Sequence, residues 1–184
     1  MTKDNKKSDN KYTNEEKWAS ILLRYLNSKG CDYKITKLSI PQDWADVDVC
    51  AKSPSDKYPP LYIQLCLDVE PGNEGYERIM KNQKVYTFNN CSDVEGAIER
   101  KIEKYIKQKK DFSKIILAVQ SIGSYFIEDD EKYIIEPLKE KIKKLKKKYK
   151  NIGFFKAIYL LSKEGEICDG QMTQKDPERV FQIF

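Results

Sequence analysis

The chain contains no histidine. That excludes imidazole-based zinc sites and every mechanism that relies on a histidine general base or a Ser-His-Asp relay. Long apolar runs are also missing, and none approaches the roughly 20 residues a helix needs to cross a bilayer. The N-terminus is Lys, Asp, Asn and Ser with no apolar stretch behind it, unlike a secretory leader. The five cysteines, at 31, 50, 66, 91 and 168, are odd in number and form no Cys-x-x-Cys pair. Reduced thiols in a cytoplasmic protein are therefore expected. Glycine is sparse, at 8 residues, and neither Gly-x-Gly-x-x-Gly nor Gly-x-x-x-x-Gly-Lys occurs, which argues against nucleotide binding through a phosphate loop. Any chemistry is left to carboxylates, lysines, tyrosines, cysteines or a hard metal ion.

What is present is charge. Of the 184 residues, 34% are charged and 40% hydrophobic, the balance of a globular protein of one domain. The net +5 is unevenly placed: Lys139 to Lys150 holds eight lysines against one glutamate, a net +7, so the rest of the chain carries −2. A local patch of that kind attracts polyanions through counterion release. A lysine-rich solubilising helix face is the competing reading.

Residues 1–12 carry almost no large apolar side chains, and their composition reads as a disordered tail. Thr13 or Asn14 caps a helix with Glu15 and Glu16 in its first turn, where the helix dipole favours acids. Trp18, Ile21, Leu22, Tyr25 and Leu26 make its apolar stripe, and Gly30 stops it. Tyr33 to Ile40 alternates as a first strand. Pro41 to Trp44 turns into a second strand, Asp46 to Cys50, and a Pro-rich turn from Ser53 to Pro60 leads to a third, Leu61 to Leu67, so that these last two form an antiparallel hairpin. Tyr76 to Thr87 reads equally as short helix or loop. A helix from Asp93 to Lys109, a buried strand from Ile115 to Val119, a helix from Glu131 to Tyr149 and a strand from Phe155 to Leu161 follow. The alternation predicts an α/β domain over 13–162, with a mixed central sheet and helices on both faces, followed by a weakly patterned extension over 163–184.

The hairpin strands carry polar groups on one face. Side chains alternate along a strand, so Asp46, Asp48 and Cys50 share one side, and Gln64, Cys66 and Asp68 share one side of the next. Repeated unpaired carboxylates are costly in a buried strand, which makes a small acidic cleft the natural expectation. A charged solvent face on an edge strand is the alternative for Asp46 and Asp48, and an ordinary hydrogen-bonded amide is the alternative for Gln64. Cys50 and Cys66 fit best as small buried apolar residues. Mg²⁺ takes a few carboxylate oxygens together with waters and phosphate oxygens, and a neighbouring lysine can orient the attacking water.

With Asp48, a hairpin, and then Gln64-Leu65-Cys66, the chain resembles the restriction-endonuclease-like, or PD-(D/E)XK, nuclease superfamily. The likeness spans about residues 14–162: a helix with a glutamate, a hairpin bearing Asp and then Glu/Gln-x-Lys, a helix, and a further strand. It is most similar to the branch of modification-dependent restriction enzymes and junction-resolvase relatives that uses Gln-x-Lys. The resemblance implies a three-layer core and a Mg²⁺- or Mn²⁺-dependent endonuclease site. In that site Asp48 and Gln64 are the metal ligands and Glu16 is the supporting helix acid. Cys66 stands where the catalytic lysine belongs. A thiol with an ordinary pKa of about 8.5 is mostly neutral at pH 7 and cannot substitute for an ammonium. Either Lys52, four residues beyond Asp48 and about 13 Å along an extended strand, has taken the role, or catalysis is lost. Lys143, Lys144, Lys147 and Lys148 are the expected phosphate contacts, with DNA ahead of RNA as the partner. The rival expectation is a non-enzymatic interaction protein, with a homodimer left open.

Overall fold

The structure, a computed structural model, describes residues 3–68, 91–126, 131–168 and 171–184. The ambiguous segment Tyr76 to Thr87 lies outside the described residues. The elements are α1 (Lys3–Ser28), β1 (Lys34–Thr36), β2 (Val49–Lys52), β3 (Leu61–Leu67), α2 (Cys91–Lys107), β4 (Ile115–Phe126), a π-helical turn (Glu131–Ile135) running into α3 (Glu136–Lys148), β5 (Ala157–Cys168) and β6 (Gln171–Gln182). The six strands form one mixed sheet in the order β1-β2-β3-β4-β5-β6. β1, β2 and β3 are antiparallel neighbours, β3, β4 and β5 are parallel, and β6 returns antiparallel to β5. The molecule is thus α/β, and the hairpin and the alternating second half fall as the sequence pattern indicates.

The parallel strands dictate the layers. Each parallel step needs a crossover, and here α2 and α3 supply them. Along β4 and β5, Leu117, Val119, Ile158 and Leu160 face one core with Ile98, Ile102 and Tyr105 of α2 and Leu138, Ile142 and Leu145 of α3. The alternate residues Ile116, Ala118, Tyr159 and Leu161 face a second core with Ala19, Leu22 and Leu23 of α1. Helices therefore cover both sides of the sheet. Fully burying an Ile such as Ile98, Ile102 or Ile142 contributes about 1.5–3 kcal/mol, so α2 and α3 hold to the sheet chiefly through these contacts.

Several boundaries differ from the sequence expectation, among them that of β4, which runs on to Phe126 instead of ending at Val119. α1 begins at Lys3, so residues 3–12, whose composition reads as a tail, continue the helix; no Pro or Gly interrupts them before the proposed cap. The helix ends where Gly30 takes φ +97°, a left-handed conformation that suits glycine. The Asn27 side chain fixes the exit, accepting from the Tyr33 amide at 2.8 Å and donating to its carbonyl at 3.0 Å. β1 is only three residues long. β2 starts at Val49, not Asp46, because the preceding loop bonds elsewhere: the Ala45 amide donates to the Asp111 carbonyl and the Asp111 amide to that of Asp43, both at 2.8 Å. Finally, 163–184 is not an extension. It completes β5 and forms β6, and residue 162 falls inside a strand. The polar run Gln171-Met-Thr-Gln-Lys-Asp-Pro-Glu-Arg179 lacks the apolar alternation that marks a strand, and pairing with β5 supplies what the pattern does not.

Candidate functional site

The late start of β2 decides the geometry around Asp48. Its amide still donates to the Ile63 carbonyl at 2.9 Å, carrying the ladder one residue beyond the strand. The next amide on β3, that of Leu65, donates instead to the Asp48 carboxylate, at 2.7 Å on Oδ2. The side chain thereby stands in for a main-chain acceptor at the point where the two strands part. The same oxygen accepts from Gln64 Nε2 at 2.5 Å.

Gln64 is 3% exposed and faces α2, since its neighbours Ile63 and Leu65 face α1. Its Nε2 also lies 3.2 Å from the Leu65 carbonyl, and its Oε1 accepts the hydroxyl of Tyr105 on α2. Tyr105 is fully buried, with its ring against Phe112 and Phe155. Burial, reinforced by the fields of Asp46 and Asp48, pushes its phenol well above the usual range, so it acts only as a donor here. The result is a closed chain of hydrogen bonds, from Tyr105 through Gln64 to Asp48 and the Leu65 amide. A hydrogen-bonded polar group of this kind is tolerated in a core because each member is satisfied.

Cys66 follows on the same face of β3 and packs against the core beneath α2. Burial pushes its thiol up to about 12, more than the nearby Lys101 pulls it down, and it is neutral at pH 7. Two residues on, Asp68 is 4% exposed and accepts from Ser121 Oγ at 2.9 Å. Asp46 takes a different course from Asp48. It turns to α2, where Lys104 Nζ lies 2.7 Å from its Oδ2. That hydrogen bond, with the fields of Lys104, Lys101 and Lys110, holds its carboxyl below the usual range. Asp46 and Asp48 both precede β2 and lie on its α2 side, but they bond to different partners.

The structure brings together Asp48 and Gln64 and leaves the other expected site residues apart from them. Glu16 is exposed on α1, the helix that covers the opposite side of the sheet from Gln64. Lys52 sits at the far end of β2 and pairs with Asp56 at 2.9 Å. Lys143, Lys144, Lys147 and Lys148 are all exposed on α3. Lys143 pairs with Glu140 at 2.6 Å, and Lys148 with Glu99 of α2 at 2.5 Å. Tyr105 and Lys104 are the neighbours that pattern reading misses. Both sit on a helix whose periodicity marks Tyr105 as core, and only the polar end of a buried tyrosine, which needs a partner, signals its role.

A divalent cation needs several oxygen ligands with free lone pairs. Asp48 Oδ2 already accepts two hydrogen bonds and Gln64 Oε1 accepts one, while the amide presents its NH₂ to the carboxylate. No group of three or more His, Cys, Asp or Glu placed to hold a metal occurs among the described residues. The donor set as arranged does not fit Mg²⁺ or Mn²⁺. Among the described residues, no helix is long and apolar enough to cross a membrane. The chain matches no protein-family model, no curated protein and no solved structure.

Proposed function

We propose that this chain is a nucleic-acid-binding protein built on a restriction-endonuclease-like core whose metal-dependent nuclease site has become structural. The observation that carries this reading is the Asp48–Gln64 pair. Asp48 lies immediately before β2 and Gln64 on β3, at the hairpin where such a site holds its ligands, yet they are bonded to each other, to Tyr105 and to the Leu65 amide. The neutral thiol of Cys66 in the lysine position supports the same conclusion, since no ammonium stands there to orient water. The α/β order, the Asp-bearing hairpin and helices on both faces agree with that core. The net charge of +5 supplies a positive field that draws in a polyanion.

Two measurements test the reading. Plasmid DNA incubated with Mg²⁺ or Mn²⁺ remains uncut, and Asp48→Ala changes nothing; cleavage that disappears in Asp48→Ala sinks the claim of lost catalysis. Labelled DNA binds with an affinity that falls steeply as salt rises, as counterion release requires. Absence of binding, or binding indifferent to salt, removes the nucleic-acid assignment. It leaves the second reading, a non-enzymatic interaction protein, which Asp48's role as a stand-in for a strand carbonyl also favours.

A further inference from the structure

Charge on α2 is sorted into two stripes. Glu95, Glu99 and Glu103 recur every four residues, the spacing that stacks side chains on one flank of a helix. That flank faces α3. Lys141 Nζ lies 2.8 Å from Glu95, Lys148 Nζ lies 2.5 Å from Glu99, and the Tyr149 hydroxyl donates to Glu99 at 3.1 Å and to Glu103 at 3.3 Å. On α3 itself, Lys139 and Lys143 pair with Glu136 and Glu140, and Lys146 lies 4.3 Å from the centre of the Phe184 ring. Much of the lysine density that marks 139–150 in the sequence is thus matched by acids within the molecule or laid over an aromatic ring.

The other flank of α2 is cationic. Arg100, Lys104 and Lys107 follow at four and then three residues, and with Glu103 and Gln108 they line an open groove of about 570 Å³. Lys104 reaches across to Asp46, which places this flank beside the loop that leads into Asp48. From Arg100 to Lys107 the helix rises about 10 Å, the length along which one nucleic-acid strand presents about three phosphates. A guanidinium fork followed along the helix by two ammonium groups is suited to phosphate oxygens.

We propose that the groove on α2, rather than the lysine-dense flank of α3, is where the phosphodiester backbone of a nucleic-acid strand docks, with Arg100, Lys104 and Lys107 as its contacts. This rests on the nucleic-acid reading above. It reverses the expectation that Lys143, Lys144, Lys147 and Lys148 hold the phosphates: Lys143 pairs with Glu140 and Lys148 with Glu99, and in the groove a phosphate has to displace Asp46 from Lys104.

The test compares two double charge reversals in the full chain, Arg100→Glu with Lys107→Glu and Lys144→Glu with Lys147→Glu. All four side chains are exposed, and circular dichroism melts confirm that each variant folds. Fluorescence anisotropy with a labelled single-stranded and a labelled duplex 20-mer is read across a salt series. The α2 pair is expected to weaken binding at least tenfold at low salt and to reduce the slope of log affinity against log salt by about two; the α3 pair changes affinity less than threefold. Equal losses from both pairs, or a greater loss from the α3 pair, overturn the groove assignment while leaving nucleic-acid binding intact. Wild-type protein that binds neither oligonucleotide overturns the underlying reading, and the groove assignment with it.

Discussion

The Leu65 main-chain amide donates to the Asp48 carboxylate at 2.7 Å, in the place where an antiparallel partner strand would offer a carbonyl. A residue whose spacing marks it as a metal ligand is, in the folded chain, part of the sheet's hydrogen bonding. Asp48→Ala accordingly removes the acceptor of the Leu65 amide and one of the two acceptors of the Gln64 side-chain amide, at a cost of about 1–3 kcal/mol for each buried N–H left unpaired. Asp46→Ala removes only a half-exposed ion pair with Lys104 and is expected to cost less than about 1 kcal/mol. Urea denaturation of the two variants checks the difference; equal losses contradict the assignment of Asp48 to the ladder.

Tyr105→Phe keeps the ring packing against Phe112 and Phe155 and deletes only the bond to Gln64 Oε1. The expected loss is about 1–2 kcal/mol. Gln64→Leu removes both the acceptor for Tyr105 and the donor to Asp48. The Tyr105→Phe, Gln64→Leu double variant is therefore expected to lose less than the two single losses together, with a coupling of about 0.5–3 kcal/mol. Strict additivity contradicts the closed chain.

The sheet and its helices are legible in the sequence where burial imposes a period. Ile115 to Val119 and the Ile98, Ile102, Tyr105 stripe are apolar because both sides of the parallel strands are covered, and such residues announce themselves. β6 is hidden because much of its sequence is polar and its strand character comes from β5 alongside it. The Asp48–Gln64 meeting is also legible, since a hairpin brings nearby residues of its two strands together. The fates of Asp46 and Lys104 are not. Their contact depends on a loop pairing with Asp111, 65 residues downstream of Asp46, through main-chain bonds to which no side-chain pattern testifies.

The acid dependence of Asp46 has a definite sign. Its carboxyl is held below the usual range, first by the Lys104 hydrogen bond, so the pair adds stability above the unfolded-state value of about 3.9 and loses it as pH falls through the lower folded value. The difference in stability between wild type and Asp46→Asn is expected to be constant from pH 5 to 8 and to disappear as pH falls below the unfolded-state value and through the lowered folded one. Because both side chains are about half exposed, it stays under about 1 kcal/mol. A difference that grows on acidification contradicts the pairing.

Cys66 runs the opposite way. A thiol raised to about 12 favours the neutral form in the folded state, so its full stability is present below the unfolded value of about 8.5 and is lost as pH rises from there toward 12. Cys66→Ala removes this sensitivity. The gap between wild type and Cys66→Ala should narrow by up to about 1.4 kcal/mol per pH unit between pH 9 and 10.5, and the partly buried Cys66 should alkylate more slowly at pH 8 in the folded chain than in the unfolded one, as peptide mass spectrometry can show.

On the proposed reading, Cys66→Lys supplies the lysine that a working nuclease site would hold, and it distinguishes a site lacking only its lysine from one closed throughout. The new ammonium would stand on the core face of β3, near Asp48 and Asp68 but also within the field of Lys101 and Arg100. Placing it there costs several kcal/mol unless a carboxylate pairs with it. It does not free Asp48 Oδ2 or Gln64 Oε1 from their present bonds. The expected outcome is a folded, destabilised protein that still leaves plasmid DNA uncut in Mg²⁺ or Mn²⁺. Cleavage by Cys66→Lys that is abolished by adding Asp48→Ala would mean that the Asp48–Gln64 pair opens readily to a metal ion and that one substitution alone silenced the site.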